Sequence, residues 1–281
     1  MLRTAVLAGM ALLITMTAQA HDETKYPDLR GQWTRARPPA GVTGQPSYDP
    51  TRSPGRAQQA PLTPEYQAIL EASIADQAAG GQGNDPTYKC LPPGMPRLMN
   101  LYDPMEIIVT PDTTHILIEY IRDSRRIYTD GRAWPVDPEP TFAGYSIGRW
   151  INEDGDGKYD VLEVETRHLK GPRALDALGL PLHEDNKTVI KERIFRDKTD
   201  PNILYDEITT IDNAFTRPWT ITKTYVRGTA RPVWREAICA EQNVHIVIDN
   251  ENYFLSAEGL LMPARKGQRP PDLRYFQPAG R

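Results

Sequence analysis

The chain has 281 residues and a formal net charge of −4 at pH 7, from 33 basic and 37 acidic side chains. This slight acidic excess argues against a nucleic-acid partner, which normally meets a basic surface. The length allows one large β domain or two smaller ones. Because no linker interrupts residues 85–276, we expect a single β domain over residues 63–281.

Residues 1–20 have the pattern of a secretion signal peptide. Arg3 makes the N-terminal region basic, residues 5–16 are apolar, and Ala18-Gln19-Ala20 fits the small-x-small cleavage rule. The apolar stretch is too short for a convincing membrane span, and no later stretch is long enough. We therefore expect an exported protein, periplasmic or secreted, without a membrane span.

Residues 21–62 are expected to form an extended arm, because residues 36–62 are rich in Pro, Gly, Arg, Ser and Gln and carry few large apolar groups. Just before that stretch, Gly31-Gln32-Trp33 resembles the Gly-x-Trp opening of lipocalin-type barrels, whose Trp closes one end. A lone core Trp is the other interpretation of these three residues.

The clearest helix is predicted over residues 63–79. Thr63 suits the N-cap, Pro64 the first turn, and Glu65 the positive end of the helix dipole. Gly80-Gly81 follows as a terminator. Apolar residues recur at helical spacing and predict one packed face: Tyr66, Ile69, Leu70 and Ile74.

The two cysteines, Cys90 and Cys239, lie on either side of the predicted sheet. An even pair in an exported protein predicts a disulfide, because export leads to an oxidising compartment. Two buried thiols are the alternative.

The stretch from Met105 to Arg227 alternates between apolar and polar residues and is cut by Gly, Pro and Asp. This pattern predicts an all-β fold: an antiparallel meander closing into a barrel or a strongly curved sheet, with one N-terminal helix and extended arms. The predicted strands lie near 105–110, 114–122, 125–129, 143–151, 159–167, 187–196, 203–212 and 217–227, with shorter ones near 233–239, 244–248 and 252–256.

Two charged residues share a strand face with apolar ones. Glu192 alternates with Ile190 and Ile194, and Lys223 lies on the face of Trp219, Ile221 and Tyr225. A buried ion is costly unless it is paired. These faces therefore indicate either a partly wet cavity, as in a ligand-holding barrel, or contact with solvent near the barrel rim.

Residues 127–222 resemble a large family of exported bacterial proteins without an established activity. The matching segments are Ile127–Arg132, Gly144–Trp150, Leu162–Thr166, Pro181–His183, Lys191–Arg193 and Thr216–Thr220. The resemblance implies an exported β protein and no reaction. This chain departs from the pattern after Trp150, where it inserts Asp154-Gly155-Asp156-Gly157-Lys158-Tyr159-Asp160.

The inserted aspartates permit two interpretations. Asp154, Asp156 and Asp160 have the spacing of the first half of a calcium loop, and Glu165 falls at its twelfth position. However, Tyr159 stands where such a loop needs Gly, and Asp-Gly repeats also mark hairpin turns. The Tyr159 mismatch favours the turn, and we expect no calcium requirement for folding.

The candidate catalytic residues are His183, Asp130, Arg132 and Glu165. His183 lies in the long connection 168–186, and histidine is the usual general acid or base in catalysis. Glu184 or Asp185 is placed to orient it, although a surface His capping a turn is the other interpretation. Arg132, beside Asp130, could hold a carboxylate or phosphate or simply cover a turn. Glu165, Glu192, Glu207 and Arg217 on adjacent strands could form an ion-pair network.

Three functions remain open. The favoured one is an exported barrel that binds a small, partly apolar molecule through Tyr145, Trp150, Glu192, Arg217 and Trp219. The second is a cofactor-independent hydrolase, lyase or isomerase with His183 as acid–base and Arg132 as anion holder. The third is an envelope interaction protein. No nucleotide loop, catalytic serine elbow or metal-type His or Cys spacing occurs, so we expect no cofactor and no metal. The oligomeric state is not indicated.

Overall fold

The computed structural model describes residues 22–36, 60–120, 124–231, 233–235, 239, 245–248, 251–256 and 260–270. The predicted signal peptide lies outside the described residues, as do residues 37–59 of the predicted arm. Within the described part, no helix is both long and apolar enough to cross a bilayer.

Nine strands form a closed barrel, which confirms the predicted all-β class. Neighbours in sequence are neighbours in the barrel, and β1 pairs with β9 to close it. The strands are β1 (Gln32–Arg35), β2 (Met105–Val109), β3 (Thr113–Ile118), β4 (Ser124–Tyr128), β5 (Tyr145–Ile151), β6 (Val161–Arg167), β7 (Val189–Arg196), β8 (Ile203–Ile211) and β9 (Trp219–Arg227).

The first strand lies within the predicted arm. Gln32–Arg35 hydrogen-bonds to β2 on one side and β9 on the other. A barrel has no free strand edge only when every strand has a partner on both sides. This short segment pairs with β2 and β9 and so closes the barrel. The arm prediction was therefore too broad, because Trp33 and its neighbours belong to the sheet.

One pairing departs from the antiparallel meander. β4 and β5 run parallel, with Ile127 opposite Ser146, and residues 129–144 cross from one end of the barrel to the other. A ring with an odd number of strands cannot be antiparallel throughout. The parallel β4–β5 pair allows nine strands to close into a ring. A parallel pair also needs a connection of roughly a dozen residues or more.

A separate three-stranded sheet follows the barrel, formed by β10 (His245–Ile248), β11 (Glu251–Leu255) and β12 (Leu261–Pro263). Residues 233–235, where a strand was predicted, are not in a strand. The predicted disulfide is confirmed: Cys90 and Cys239 are bonded, with Cα atoms 5.6 Å apart and a sequence separation of 149. It links the segment between α1 and β2 to the segment that follows β9.

Alternate side chains of each barrel strand point inwards, as the period of a strand requires. They join one buried cluster that contains Trp33, Ile116, Leu162 and Ile208. One end of the barrel is covered by residues 22–31, where Trp33 Nε1 donates to the Leu29 carbonyl at 2.9 Å. The other end is covered by the helix and by segments that include Leu98 and Leu180.

The helix α1 spans Pro64–Ala78, close to its predicted bounds. The N-cap Thr63 accepts a hydrogen bond from the Tyr66 N–H, as expected for a capping residue. Tyr66 and Leu70 of the predicted face are buried and Ile74 packs against the core, whereas Ile69 is exposed. The hydroxyl of the buried Ser73 donates to the Leu178 carbonyl at 2.9 Å, which satisfies this polar group.

Candidate functional site

A groove of about 660 Å³ lies on the outer face of β5–β9. The crossing segment 129–144 forms one wall through Gly131, Arg132 and Trp134. This volume falls in the range of roughly 300–1,000 Å³ that small-molecule sites occupy. The parallel crossover therefore creates a concave surface on the outer face of the barrel.

The floor consists of side chains that alternate away from the barrel interior. The strand register aligns one row across five strands: Ile147, Glu165, Lys191, Thr209 and Thr220. A second row beside it is Arg149, Glu163, Arg193 and Glu207. Charges of both signs thus share the groove with one aliphatic side chain and two hydroxyls.

Most charges of the floor are already paired. Arg149 bonds Glu163 at 2.7 Å, and Arg193 lies 3.7 Å from Glu207. Glu165 is bound by Arg167 at 2.5 Å. Exposed pairs of this kind add little to stability, but they cancel one another's charge.

Lys191 is the exception. It is exposed, and within the described ranges no carboxylate lies within ion-pair distance of it. Its neighbour on β6 is Glu165, which is bound by Arg167. On its other side lie Thr209 on β8 and Thr220 on β9, whose hydroxyls share a hydrogen bond of 2.8 Å. One of their two protons is used in that bond and the other is available. Lys191 and these hydroxyls can therefore donate to an anion.

The Arg132 end of the groove is built from stacked rings and one ion pair. The Arg132 guanidinium lies 3.8 Å above the centre of the Tyr128 ring and donates to both oxygens of Asp130. That contact holds the pKa of Asp130 below its usual range. The Tyr128 and Tyr145 ring centres are 4.9 Å apart. Asp130 thus binds Arg132 as in the predicted turn. Fewer guanidinium N–H groups are therefore left to bind a ligand.

Trp134 supplies the aromatic wall. Arg167 lies 4.6 Å above the Trp134 ring centre, and the rings of Tyr145 and His168 lie 6.1 and 6.2 Å away. A cation over an indole face is attracted by the ring quadrupole, so these contacts hold the indole in place. A pre-positioned aromatic surface loses little conformational entropy when a ligand packs on it.

A scan against models of known protein families finds no match to this chain. A search of curated proteins likewise finds no similar sequence. The resemblance of residues 127–222 to a family of exported proteins therefore stays a prediction.

The structure brings several predicted site residues together at this groove. Arg132 and Glu165 line it, and Asp130 and Tyr145 contact Arg132 and Trp134 at its rim. Lys191 and Trp134 were not among the predicted site residues. The signal for Lys191 was available, since it alternates with Glu192 and must face the opposite side of β7. Trp134 lies in a loop, where periodicity predicts nothing.

The other predicted ligand-binding residues lie elsewhere. Trp219 is buried inside the barrel against Phe215, at 5.8 Å between ring centres. Trp150 is half-buried and meets the Tyr26 ring edge-on at 5.4 Å. Arg217 is exposed and donates to the Pro218 carbonyl. The two tryptophans therefore pack the two ends of the barrel.

His183 is fixed by its local contacts. Its ring stacks on Tyr66 at 5.1 Å, and its Nδ1 accepts from the Asp185 N–H at 3.1 Å. The His183 N–H donates to the Asp212 carboxylate at 2.9 Å. These contacts tie the loop 168–188 to α1 and to the segment after β8. They match the turn-capping interpretation of this histidine.

Glu192 lies inside the barrel, where it forms a buried ion pair. Arg125 donates to both Glu192 carboxylate oxygens, through Nη1 to Oε1 at 2.7 Å and through Nη2 to Oε2. Arg125 Nη2 also donates to Thr166 Oγ1 at 2.9 Å, and Ser146 completes the cluster. Glu192 also borders the groove, but it is buried, so it does not meet solvent at the barrel rim.

Two more ionisable groups face the same interior. Asp206 is fully buried, and neither of its oxygens has a hydrogen-bond partner among the described residues. Lys223, opposite Asp206 in the register, is also buried. Burial lowers the pKa of Lys223 to about 7, and the nearby Arg35 adds to this effect. The alternation of Asp206 with Leu204 and Ile208 was the sequence signal for its inward position.

The inserted aspartates form a turn. Asp160 accepts from the N–H groups of Glu153 and Asp154, and Asp156 accepts from the Lys158 N–H at 2.8 Å. Asp154 pairs with Lys198 at 2.7 Å. Among the described residues, no three His, Cys, Asp or Glu side chains are grouped to hold a metal ion.

Proposed function

We propose that this chain is an exported β-barrel protein that binds a small, partly apolar molecule in its outer groove. The observation that carries the proposal is the combination, in one groove of about 660 Å³, of Trp134 and Ile147 with Lys191, which pairs with no carboxylate of the described residues. Small-molecule sites typically combine an apolar surface with a few polar groups that set orientation. The apolar inward side chains pack into one buried cluster, which favours the open groove over the interior as a binding site.

The chemistry of the groove favours a ligand with an anionic head and an apolar body. Lys191 and a Thr209 or Thr220 hydroxyl would bind the head, since charge-assisted hydrogen bonds are the stronger kind. Strands lie about 4.8 Å apart, so Ile147 on β5 is roughly 10 Å from Lys191 on β7. A carboxylate with an extended apolar chain or a ring spans that distance.

Export rests on two supports. The signal-peptide pattern of residues 1–20 is the first. The Cys90–Cys239 disulfide is the second, because such bonds persist mainly in oxidising compartments. The N-terminus of the protein recovered from a bacterial host tests this part, and we expect it to begin at His21.

Binding is tested with the fluorescent anion anilinonaphthalene sulfonate, displaced by decanoate or by uncharged decanol. We expect decanoate to displace the probe better than decanol. Lys191→Met should weaken decanoate binding by about tenfold or more, since a hydrogen bond to a charge is lost. Trp134→Ala should weaken both ligands. Lys158→Met is the matched control, because Lys158 is exposed in the β5–β6 turn outside the groove.

Suppose that decanoate and decanol displace the probe equally, that Trp134→Ala abolishes this displacement and that Lys191→Met does not change it. The groove would then be the binding site, but its ligand would not need an anionic head. Unchanged binding in every groove variant would contradict the groove itself. His183→Ala separates this proposal from an acid–base enzyme. We expect it to leave decanoate binding unchanged, because its contacts lie with Tyr66, Asp185 and Asp212.

A further inference from the structure

Asp206 occupies an environment in which a carboxylate ion is strongly disfavoured. It lies in the middle of β8 and points into the barrel between Leu204 and Ile208, which are buried as well. Neither oxygen accepts a hydrogen bond within the described part of the chain. A buried carboxylate without hydrogen bonds is strongly disfavoured in its ionised form, and such groups bind a proton instead.

The charged and titratable groups that face Asp206 come from several strands. Glu192 on β7 is its diagonal neighbour, because Glu192 pairs with Ile208 and Asp206 pairs with Ile194. Lys223 on β9 is directly opposite. The remaining groups that interact with this set are Arg125 on β4, Arg35 on β1, Tyr225 on β9, and Asp176 in the loop after β6.

The positive charges of the cluster do not compensate Asp206. Arg125 is bound through two nitrogens to the two oxygens of Glu192, so that pair is already neutral. Lys223 is not within ion-pair distance of Asp206 among the described residues, and burial favours its neutral amine. Burial and the neighbouring Glu192 both raise the pKa of Asp206 well above its ordinary value.

We propose that Asp206 is a neutral carboxylic acid that donates its proton to the Glu192 carboxylate, and that this buried acid–carboxylate pair makes the barrel sensitive to pH. When the proton leaves for solvent, the Asp206 and Glu192 carboxylates are both negative and lie on adjacent strands, β8 and β7. The Arg125 guanidinium then has to compensate two negative charges. Two acids this close titrate as a coupled unit. The protonated pair therefore stabilises the folded barrel.

The direction of the pH dependence follows from the raised pKa of Asp206. An unfolded aspartate titrates near 3.9, so the folded state binds the extra proton above that pH. The stabilisation is complete below the unfolded value and is lost as the pH rises through the folded value. Lys223 acts with the opposite sign, but its contribution changes only between about pH 7 and pH 10. Below neutrality Lys223 therefore does not obscure the carboxyl pair, and comparison with an Asp206 variant removes the contribution of Asp176, whose pKa burial also raises.

Infrared spectra of the protein labelled with carbon-13 aspartate test the protonation directly. At neutral pH we expect a carboxylic-acid carbonyl band that shifts with the label and is absent in Asp206→Asn. Asp176→Asn is the control, because Asp176 is a second buried aspartate whose pKa burial raises. The band should survive in that variant. A labelled wild-type protein without an acid band at neutral pH would overturn the proposal.

Urea unfolding tests the consequence. Between about pH 5 and pH 7 the midpoint of the wild-type protein should fall relative to that of Asp206→Asn. Asparagine has a similar volume and keeps an N–H donor for Glu192, so the variant should fold. Parallel midpoints in the two proteins would show that Asp206 is not the sensor. If Asp206→Asn does not fold, the spectrum of labelled Asp176→Asn decides: survival of the acid band there supports the proposal, and its loss contradicts it.

Discussion

At the residue scale, the barrel interior combines large apolar side chains with one charged cluster. Trp33 is fully buried, its indole N–H is bonded to Leu29, and Arg227 lies 4.6 Å above its ring centre. Trp150 also points inwards but is only half-buried, with its indole N–H near Thr114 Oγ1 at 3.3 Å. The two tryptophans therefore differ in how much apolar surface they remove from water.

This difference predicts unequal losses of stability. Trp33→Ala should lower the free energy of unfolding by about 3–5 kcal/mol, as expected for a fully buried aromatic side chain. Trp150→Ala should cost clearly less, because part of its surface already meets solvent. Urea unfolding followed by circular dichroism measures both. A larger loss for Trp150 than for Trp33 would contradict the burial that the structure shows.

At the element scale, the parallel crossover depends on Gly144, which precedes β5. Its φ of 72° lies in the left-handed region, and an added Cβ would lie 2.7 Å from side-chain atoms of Leu169 and Thr166. Gly131 at the other end of the crossover has a φ of 76°, but nothing lies within 4 Å of an added Cβ. The two glycines thus share the backbone requirement and differ in crowding.

Alanine at the two positions separates strain from crowding. Gly131→Ala should cost about 1–2 kcal/mol, the usual penalty for an L-residue in this conformation. Gly144→Ala should cost that amount plus roughly 1–3 kcal/mol for overpacking, and should disturb the groove wall. Comparison of the two urea midpoints, together with binding of the fluorescent anion, tests this. Equal midpoints would show that β5 moves to accommodate the methyl group.

At the scale of the whole molecule, the Cys90–Cys239 disulfide spans 149 positions and closes a loop that contains β2–β9. The bond also connects the segment between α1 and β2 to the segment between β9 and β10. In the chain-entropy model a cross-link stabilises by restricting the unfolded chain, and long loops gain most.

Removal of this bond should lower stability without changing the barrel. The Cys90→Ala, Cys239→Ala double variant should lose about 2–5 kcal/mol in unfolding free energy. Intact-mass analysis after alkylation of unreduced, denatured protein should detect no free thiol in the wild type. Two alkylated thiols there would contradict the disulfide. A double variant as stable as the wild type would show that native strain offsets the entropy effect.

Local patterns of the sequence determined the elements of this protein. The alternation along β6–β9 predicted those strands because side chains of a strand alternate with a period of two, whatever its partners are. Thr63-Pro64-Glu65 predicted the start of α1 because capping needs only neighbouring residues. The cysteine pair predicted its bond because there was one possible partner.

Tertiary structure alone decided how those elements meet. Pairing partners are non-local, so no pattern within β4 or β5 showed that they run parallel or that β1 closes the barrel. Alternation indicated that Glu192 shares an apolar face but could not name Arg125 as its partner. The groove depends on the parallel β4–β5 pairing, because that pairing requires the crossover 129–144, whose residues form the groove wall. Strand periodicity is set by neighbouring residues, whereas closure and burial of charge are set by residues far apart in the chain.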